Sequence, residues 1–374
     1  MLKTFISYAS EDFDQASKLF EALTVLRTDP WMDKKRLIPG DDWEKEIFRT
    51  LKGIQIFFVL ITPRSYDKRG MLRREIAFAL DKRRELLPSD NFIIPIRIDN
   101  APMPDELSNV HWLDWARVDF YFELSKSVTK VANQRGITLA FESSVINGHF
   151  VANYSEQDTQ VAEFSIDYPY ILSHDVDAFT KLNELCSGEA RRLALDLRSL
   201  AFSWRQETGR LPTDTFLSCR VKVELIDDVF FVYRTGSDTY FSGAAHPNVE
   251  SNPVTIYRPL LVKCSFDVLF DRNCIEALST LICDAVNANL RDTSGDNDQV
   301  WVAKPSEFID RIQNRDEDLG IELLKEGFNF SLDRYLPHAL RAISFAIVPY
   351  RRVLPLLKAS EIRNALEQFW LSGT

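Results

Sequence analysis

The stretch IQIFFVLIT, residues 54–62, decides the fold class of the first third of the chain. It is a continuous apolar run and lacks the polar–apolar alternation of a half-exposed strand. Such a run predicts a strand covered on both faces, as in a parallel sheet with helices on either side. The run is far shorter than the roughly 20 residues that a membrane-spanning helix needs.

Strand and helix patterns alternate on both sides of this run. We predict further strands at residues 3–8, 30–33, 92–98 and 112–115, and helices at residues 10–26, 43–51, 71–85 and 120–134. Pro95 suggests an edge or bulge position for its strand. The alternation predicts a parallel sheet with right-handed crossovers. The order fits a flavodoxin-like α/β domain, a doubly wound fold in which ligands bind beyond the carboxyl ends of the strands.

The pattern changes after Gly136. The predicted elements are strands at 164–171 and 254–266, a hairpin over 219–241 broken at 235–238, helices at 176–205 and 274–290, and strands at 328–332 and 342–348. Runs of strands followed by helices are typical of an α+β domain. We therefore predict two domains, at residues 1–136 and 140–374, which suits a chain of 374 residues.

Charge is unevenly distributed between these two parts. Residues 1–136 carry 22 Lys and Arg against 21 Asp and Glu, so the remainder carries 23 against 34 of the totals of 45 and 55, a net charge of −11. Nucleic-acid binding needs clustered cations, so no nucleic-acid partner is expected there. An acidic surface suits a basic protein partner.

The sequence also indicates the compartment. The five cysteines are odd in number and include no CxxC pair, which favours a reduced, cytoplasmic protein with buried thiols over a metal site. The N-terminal residues show no signal-peptide pattern, and no membrane association is expected.

Three segments in order resemble the boxes of TIR (Toll/interleukin-1 receptor) domains. The first is Phe5–Tyr8 followed by Ala9–Asp12, and the second, Trp31–Trp43, resembles the so-called BB loop. The third is Ile56–Thr62 with the later Arg74–Ala77. The resemblance implies one of two functions. Some members of the TIR family only assemble with other TIR domains, whereas others cleave NAD⁺ at the nicotinamide–ribose bond.

Glu75 stands where the resemblance places the catalytic carboxylate. Departure of nicotinamide leaves positive charge on the ribose, and a nearby carboxylate stabilises it. Nicotinamide leaves as a neutral group, so no metal and no cofactor are expected; NAD⁺ is the substrate. The alternative is a solvent-facing glutamate that pairs with Arg73, Arg74 or a lysine.

The resemblance and the doubly wound rule also imply substrate contacts, at Ser7, Tyr8, Ser10, Asp33, Gly40 and Trp43. Gly40 would let the BB loop adopt backbone angles closed to other residues. Trp43 would stack on a flat ring or, alternatively, pack at the start of a helix. Tyr8 equally fits a structural role. One departure is Met71, since many NAD⁺-cleaving members have Trp four residues before the glutamate.

Residues 160–360 resemble a second module, the extracellular domain of lysozyme-sensing anti-sigma factors. The resemblance is carried by short segments: Tyr168-Pro169, Leu182-Asn183, Gly243–Asn248, Leu269-Phe270, Glu326–Phe330 and Pro349-Tyr350. It implies a recognition domain rather than a second enzyme. His246 has no HxxxH or HxH partner and is expected to hold a turn rather than a metal.

Together these features predict an NAD⁺ hydrolase that acts as the effector of a bacterial anti-phage defence protein. The C-terminal domain would sense a trigger, such as a basic phage protein, and the TIR domains would then self-associate. The alternative is a non-enzymatic TIR scaffold or a mimic of host TIR signalling, which the Met71 departure favours. A peptidoglycan-related enzyme in the C-terminal half is disfavoured because paired metal ligands and a secretion signal are lacking.

Overall fold

A computed structural model describes residues 1–66, 71–87, 89–209, 215–241, 247–294, 304–306, 309, 319–332 and 345–373. The chain divides into two compact units. The first comprises Met1–Ser155 with Pro169–Glu184, and the second comprises Glu156–Tyr168 with Leu185–Thr374.

The first unit contains a five-stranded parallel sheet in the order β2-β1-β3-β4-β5. Its strands are β1 (Lys3–Ser7), β2 (Asp29–Trp31), β3 (Ile56–Ile61), β4 (Ile93–Arg97) and β5 (Leu113–Asp114). Its helices are α1 (Phe13–Val25), α2 (Asp33–Arg36), α3 (Trp43–Gly53), α4 (Pro63–Tyr66), α5 (Met71–Arg84) and α6 (Phe120–Gln134). This order is that of the flavodoxin-like fold, so the predicted fold class is confirmed.

The apolar run that predicted the fold lies at the centre of this sheet. Every residue of β3 is buried, and β3 pairs in parallel with β1 on one side and β4 on the other. Its side chains Phe57, Val59 and Ile61 belong to a core cluster that includes residues of α3 and α5. A strand covered on both faces has no solvent-facing positions, which explains its lack of polar alternation.

Strand β4 is not an edge strand, because it lies between β3 and β5, but Pro95 itself lies at a locally unpaired position. The physical reason is the shortness of β5. Only Ile96 and Arg97 of β4 have partners there, so Pro95 faces a stretch without a neighbouring strand. The N–H that proline lacks is therefore not needed on that side.

The remaining strands and helices follow in chain order. The strands are β6 (Glu142–Ile146), β7 (His149–Asp158), β8 (Phe164–Leu172), β9 (Phe216–Ile226), β10 (Phe230–Tyr240), β11 (Asn248–Tyr257), β12 (Val262–Lys263), β13 (Gly320–Leu323), β14 (Gly327–Ser331) and β15 (Phe345–Pro349). The helices are α7 (Val176–Thr208), α8 (Phe266–Leu269), α9 (Ile275–Ser294), α10 (Tyr350–Val353) and α11 (Glu361–Gly373). Mixed α and β structure after residue 140 confirms the predicted class of this region.

The second unit contains an antiparallel run of β9, β10, β11 and β12, with the first residues of β8 parallel to β9. A break was predicted at residues 235–238, but these residues lie inside β10. The turn falls instead at Asp227, whose carboxylate accepts hydrogen bonds from the amides of Val229 (2.7 Å) and Phe230 (2.5 Å). The misleading residue is Gly236, which continues the strand beneath the side chain of Arg220.

Strands β13, β14 and β15 form a second, antiparallel sheet in this unit. Alternate residues of β14, Phe328 and Phe330, enter a core cluster that includes α9 residues such as Leu278 and Ile282. The intervening Asn329 is also buried, and its side-chain amide donates to Glu322 at 2.7 Å. Both faces of β14 are therefore covered, whereas Phe345 and Pro349 of β15 are exposed.

Residues beyond Gly136 contribute to the first unit. The hydroxyl of Tyr154 donates to the carbonyl of Val25 at 2.6 Å, and that of Tyr121 donates to the carbonyl of Ser173 at 3.1 Å. The ring of His174 lies 4.9 Å from that of Trp115 and 5.0 Å from that of Tyr121. The domain boundary placed at residues 136–140 stays a prediction.

All five cysteines are buried and free. Burial raises the pKa of the Cys186, Cys219 and Cys264 thiols to about 12, as expected for unreactive core residues. Among the described residues, no helix is both long and apolar enough to cross a bilayer.

Two glycines give opposite predictions for the same substitution. At Gly327 an added Cβ would overlap the backbone carbonyl of Val348, whereas the exposed helical Gly188 has open space around it. We expect Gly327→Ala to destabilise the chain by about 2 kcal/mol or more, since backbone must shift. Gly188→Ala should stabilise it by about 0.5–1 kcal/mol through helix propensity.

Urea denaturation of the two variants and the wild type measures both effects. A Gly327→Ala variant as stable as the wild type would contradict the close packing of β14 against β15.

Candidate active site

A buried carboxyl group lies at the carboxyl edge of the parallel sheet. Ser7, the last residue of β1, donates its hydroxyl hydrogen bond to Glu75 Oε2 at 2.5 Å. Glu75 lies on α5, which follows β3 and the short helix α4, and is only 7% exposed. The two residues meet because β1 and β3 are parallel neighbours, so their carboxyl ends lie side by side.

Burial dominates the electrostatics of Glu75. Desolvation raises its pKa from 4.5 to about 7, the hydrogen bond from Ser7 lowers it, and the charge of Asp33 raises it. A carboxyl group that titrates near neutral pH exchanges between charged and neutral forms under working conditions. Groups with shifted pKa values are concentrated at catalytic sites, because catalysis needs a pKa that suits the reaction.

A second pair joins the end of β1 to the start of the BB loop. The hydroxyl of Tyr8 donates to Asp33 Oδ1 at 2.5 Å, and the amide of Lys34 donates to the same oxygen at 2.7 Å. Burial, then the hydrogen bond to Asp33, raises the pKa of Tyr8, and the charge of Glu75 adds to this. Tyr8 therefore stays neutral and acts as a hydrogen-bond donor.

The structure adds a residue pair that the sequence pattern did not single out. Asp12, 6% exposed, accepts a hydrogen bond from Thr62 Oγ1 at 2.9 Å. Thr62 in turn accepts from the amide of Ser65 at 3.1 Å. The side chain of Asp12 makes no cap hydrogen bond at the start of α1 and instead fastens the β1–α1 connection to the end of β3. The adjacency of these two strand ends in a doubly wound sheet was the available signal.

The other predicted site residues stand apart from this group. Ser10 is exposed and its hydroxyl contacts Glu11 at 3.2 Å. Gly40 is exposed and has a φ of +101°, the left-handed region predicted for it. Within the described part of the chain no contact joins either residue to Glu75. The side chains of Trp43 and Met71 lie outside the described part, as do Gly243 to His246 of the C-terminal resemblance.

The ion pairs around α5 test the alternative in which Glu75 is a solvent-facing glutamate paired with a neighbouring cation. Arg74 pairs with Glu44 of α3 at 2.5 Å, and its guanidinium also lies over the ring of Phe48. Glu75 itself points inward to Ser7. It is therefore not a solvent-facing partner of Arg74.

The residues gathered here are Ser7, Tyr8, Asp33 and Glu75. They supply carboxylates and hydroxyls, which suit the hydroxyl groups of a sugar and the positive charge of an oxocarbenium-like ribose. Within the described ranges, no cluster of three or more His, Cys, Asp and Glu side chains is arranged to hold a metal ion.

Comparison with known proteins assigns the first part of the chain. Residues 4–125 match the family model described as the TIR domain. With the strand order of the sheet, this match identifies the segment as a TIR domain. No curated protein matches the chain.

Several solved structures resemble part of the chain. A DUF3298-family protein of Bacteroides fragilis is 15% identical with a TM-score of 0.38, covering 61% of this chain and 98% of its own. A DUF3298-family protein of Pseudomonas aeruginosa is 16% identical with a TM-score of 0.38, covering 59% and 95%. The TIR domain of the Toll-related receptor TRR-2 of Hydra magnipapillata is 20% identical with a TM-score of 0.29, covering 34% and 97%.

The raised pKa of Glu75 predicts a pH-dependent cost to stability. Between its unfolded value of 4.5 and its folded value of about 7, the folded chain binds a proton that the unfolded chain has lost. The contribution of Glu75 to the free energy of unfolding therefore falls as pH rises through this window. Glu75→Gln, which is always neutral, should be more stable than the wild type by on the order of 3 kcal/mol at pH 8, and by little at pH 4.5.

Chemical denaturation at the two pH values measures this difference. Glu85→Gln is the matched control, because Glu85 is an exposed glutamate just beyond the end of the same helix. An equal effect of Glu75→Gln at both pH values would show that the buried carboxyl group is not neutral in the folded chain.

Proposed function

We propose that residues 4–125 cleave NAD⁺ at the nicotinamide–ribose bond, with Glu75 as the carboxylate that stabilises the ribose in the transition state. The observation that carries the proposal is a glutamate 7% exposed, bonded to Ser7 at the carboxyl edge of a parallel sheet. The identification of the segment as a TIR domain supports it, because this family includes NAD⁺-cleaving members.

The proposed reaction breaks the bond between ribose C1′ and the nicotinamide nitrogen, and the bonding electron pair leaves with nicotinamide. Nicotinamide departs neutral, so positive charge remains on the ribose until a nucleophile attacks C1′. Water yields ADP-ribose and a proton, whereas attack by a group of the same molecule yields a cyclic product. Both products fit the proposal.

Glu75 acts in this scheme as a fixed negative charge. A carboxylate held in a poorly solvated site interacts with a developing cation more strongly than one in water. With a pKa of about 7, a large fraction is ionised at neutral pH. Ser7 holds one carboxylate oxygen in place, and Tyr8 with Asp33 fixes the start of the BB loop beside it.

Glu75 is almost completely covered by protein, which supports a dependence of the proposed activity on assembly. At 7% exposure its carboxylate has little room for a ribose, so the groups around it must shift before substrate binds. The BB loop, Trp31–Trp43, contacts this group through Asp33, and its residues from Lys34 to Arg36 and from Ile38 to Asp42 are exposed. We propose that self-association of TIR domains moves this loop and opens the site.

Removal of the carboxylate should abolish NAD⁺ cleavage. Glu75→Gln keeps the size of the side chain and a hydrogen-bond acceptor for Ser7, but it removes the charge. We expect the rate of nicotinamide release to fall by at least about 100-fold, as for the loss of one strong electrostatic contact in a transition state. Chromatographic detection of nicotinamide from the full chain and NAD⁺ measures the rate.

The control is Glu85→Gln, which removes a glutamate outside the site and should leave the rate unchanged. The assay is run with and without a crowding agent that favours assembly. Equal release by the wild type and Glu75→Gln would assign the activity to another residue or to a contaminant and refute the proposed role.

The burial of Glu75 also favours a second function, that of a non-enzymatic TIR scaffold or host-signalling mimic. A glutamate covered by protein and bonded to Ser7 also fits a purely structural group. Met71, at the position where many NAD⁺-cleaving members have Trp, points the same way. Absence of nicotinamide release from an assembled wild-type chain favours the scaffold.

We propose anti-phage defence in the bacterial cytoplasm as the setting, with residues 140–374 sensing the trigger. Two features support a basic protein as partner. One is the resemblance to lysozyme-sensing anti-sigma factors, and the other is the acidic charge after residue 136, where 34 acidic residues stand against 23 basic ones. Co-purification with the tagged full chain from phage-infected cells should recover a basic phage protein. Recovery of none would count against this part of the proposal.

A further inference from the structure

Strand β6 is exposed to an unusual degree. Four of its five residues, from Glu142 to Val145, are exposed and the fifth, Ile146, is half-buried, so neither face of the strand is covered. β6 pairs with β7 along one edge and is the terminal strand of its sheet, so among the described residues no strand pairs with its other edge. A free edge presents unpaired backbone N–H and C=O groups that can bind another strand.

The turn of the β6–β7 hairpin determines which groups face outward. Asn147 and Gly148 both have positive φ, 47° and 82°, as in a two-residue type I′ turn. The residues flanking such a turn, Ile146 and His149, form a hydrogen-bonded pair. Hydrogen-bonded pairs alternate along the ladder, so the N–H and C=O groups of Ser143 and Val145 point to the free edge.

Edges of the parallel sheet are protected in ways that β6 is not. At β2, Pro30 has no N–H, and its carbonyl already accepts from Arg36 Nε at 3.2 Å and Nη2 at 3.0 Å. The opposite edge, β5, has only two residues. Natural sheets use proline, side-chain cover and short edge strands to prevent unwanted pairing.

The edge strands that the structure describes in the second unit are also short or covered by side chains. β12 has two residues. In β13 the carbonyl of Ile321 accepts from Thr255 at 2.7 Å, and in β15 the carbonyl of Phe345 accepts from Asn289 at 3.1 Å. Over the part of the chain that the structure describes, no side chain bonds the backbone of the free edge of β6.

We propose that β6 is the contact strand of a homodimer, in which β6 of two copies pair antiparallel about a two-fold axis through Ser144. Ser143 then lies opposite Val145 of the second copy, and their outward N–H and C=O groups make four symmetric backbone hydrogen bonds. Glu142, the only charged residue of the strand, lies opposite Ile146 rather than another glutamate. Two copies of β6 can therefore pair without opposing like charges and with their outward N–H and C=O groups matched. This argues for a second copy of the chain as the partner of β6.

A disulfide tests the register directly. The two Ser144 residues form a non-hydrogen-bonded pair with Cα atoms about 4.5 Å apart, within the range that a disulfide spans. Ser144→Cys should therefore form a covalent dimer on mild oxidation, seen by non-reducing electrophoresis. The five native cysteines are buried and do not compete.

Ser143→Cys is the matched control. The same register sets the two Ser143 residues two positions apart along the strands, beyond the roughly 7 Å limit for a disulfide. It should therefore give no covalent dimer. Cross-linking of both variants to the same extent, or of neither, would refute the proposed pairing.

Proline at position 145 tests the hydrogen bonds. The N–H of Val145 points away from β7, so Val145→Pro leaves the hairpin ladder intact and removes two of the four intermolecular bonds. Analytical ultracentrifugation of the full wild-type chain should show a concentration-dependent dimer, weakened at least about tenfold by Val145→Pro.

A monomeric wild type at all concentrations would overturn the proposal and leave the edge to a strand of a different protein. An unchanged dimer in Val145→Pro would overturn it too, by placing the contact elsewhere. These readouts measure mass and covalent linkage, so they are independent of NAD⁺ cleavage.

Discussion

The parallel pairing of β1 with β2 and β3 is the constraint on which the site depends. It brings the residues that follow each of these strands to one edge of the sheet. Ser7 and Tyr8 come from the end of β1, Asp33 from just after β2, and Glu75 from the helix after β3. The hydrogen bonds Ser7–Glu75 and Tyr8–Asp33 then join segments that are 68 and 25 residues apart in sequence. Thr62, at the end of β3, donates a hydrogen bond to Asp12, which follows β1, and this bond joins the same two strand ends.

Burial of Glu75 opposes stability and serves the proposed chemistry. A carboxyl group in a poorly solvated position is costly to ionise, and for that reason its pKa lies near neutral. The fold tolerates this because the sheet around the site is well packed, with every residue of β3 buried. Functional groups that destabilise their own fold are common at active sites, where the surrounding core maintains the structure.

The region after Gly136 contributes structure of two kinds. Tyr154, Ser173 and His174 pack within the first compact unit, beside the helices of the parallel-sheet domain. The second unit has its own core, formed by α9, α11 and the sheet of β13, β14 and β15. The first compact unit therefore extends past Gly136, to Ser155 and again over Pro169–Glu184. The exposed strand β6 offers an edge for the proposed self-association, and the proposed activation of the TIR domain requires self-association.

Sequence alone determined the parallel-sheet fold, since continuous apolar strands such as Ile56–Ile61 alternate with helices of 3.6-residue periodicity. It also determined that Gly40 adopts positive φ, and it selected Glu75 through the family resemblance. It misplaced the β9–β10 turn, because Gly236 breaks the local pattern, whereas the Asp227 carboxylate that forms the turn gives no apolar signal. It missed β6, whose exposed residues have no hydrophobic periodicity. Only the tertiary structure decided that Glu75 is buried, that Ser7 bonds it and that Asp12 bonds Thr62. These contacts join residues that are distant in the chain, and a periodicity measures only near neighbours.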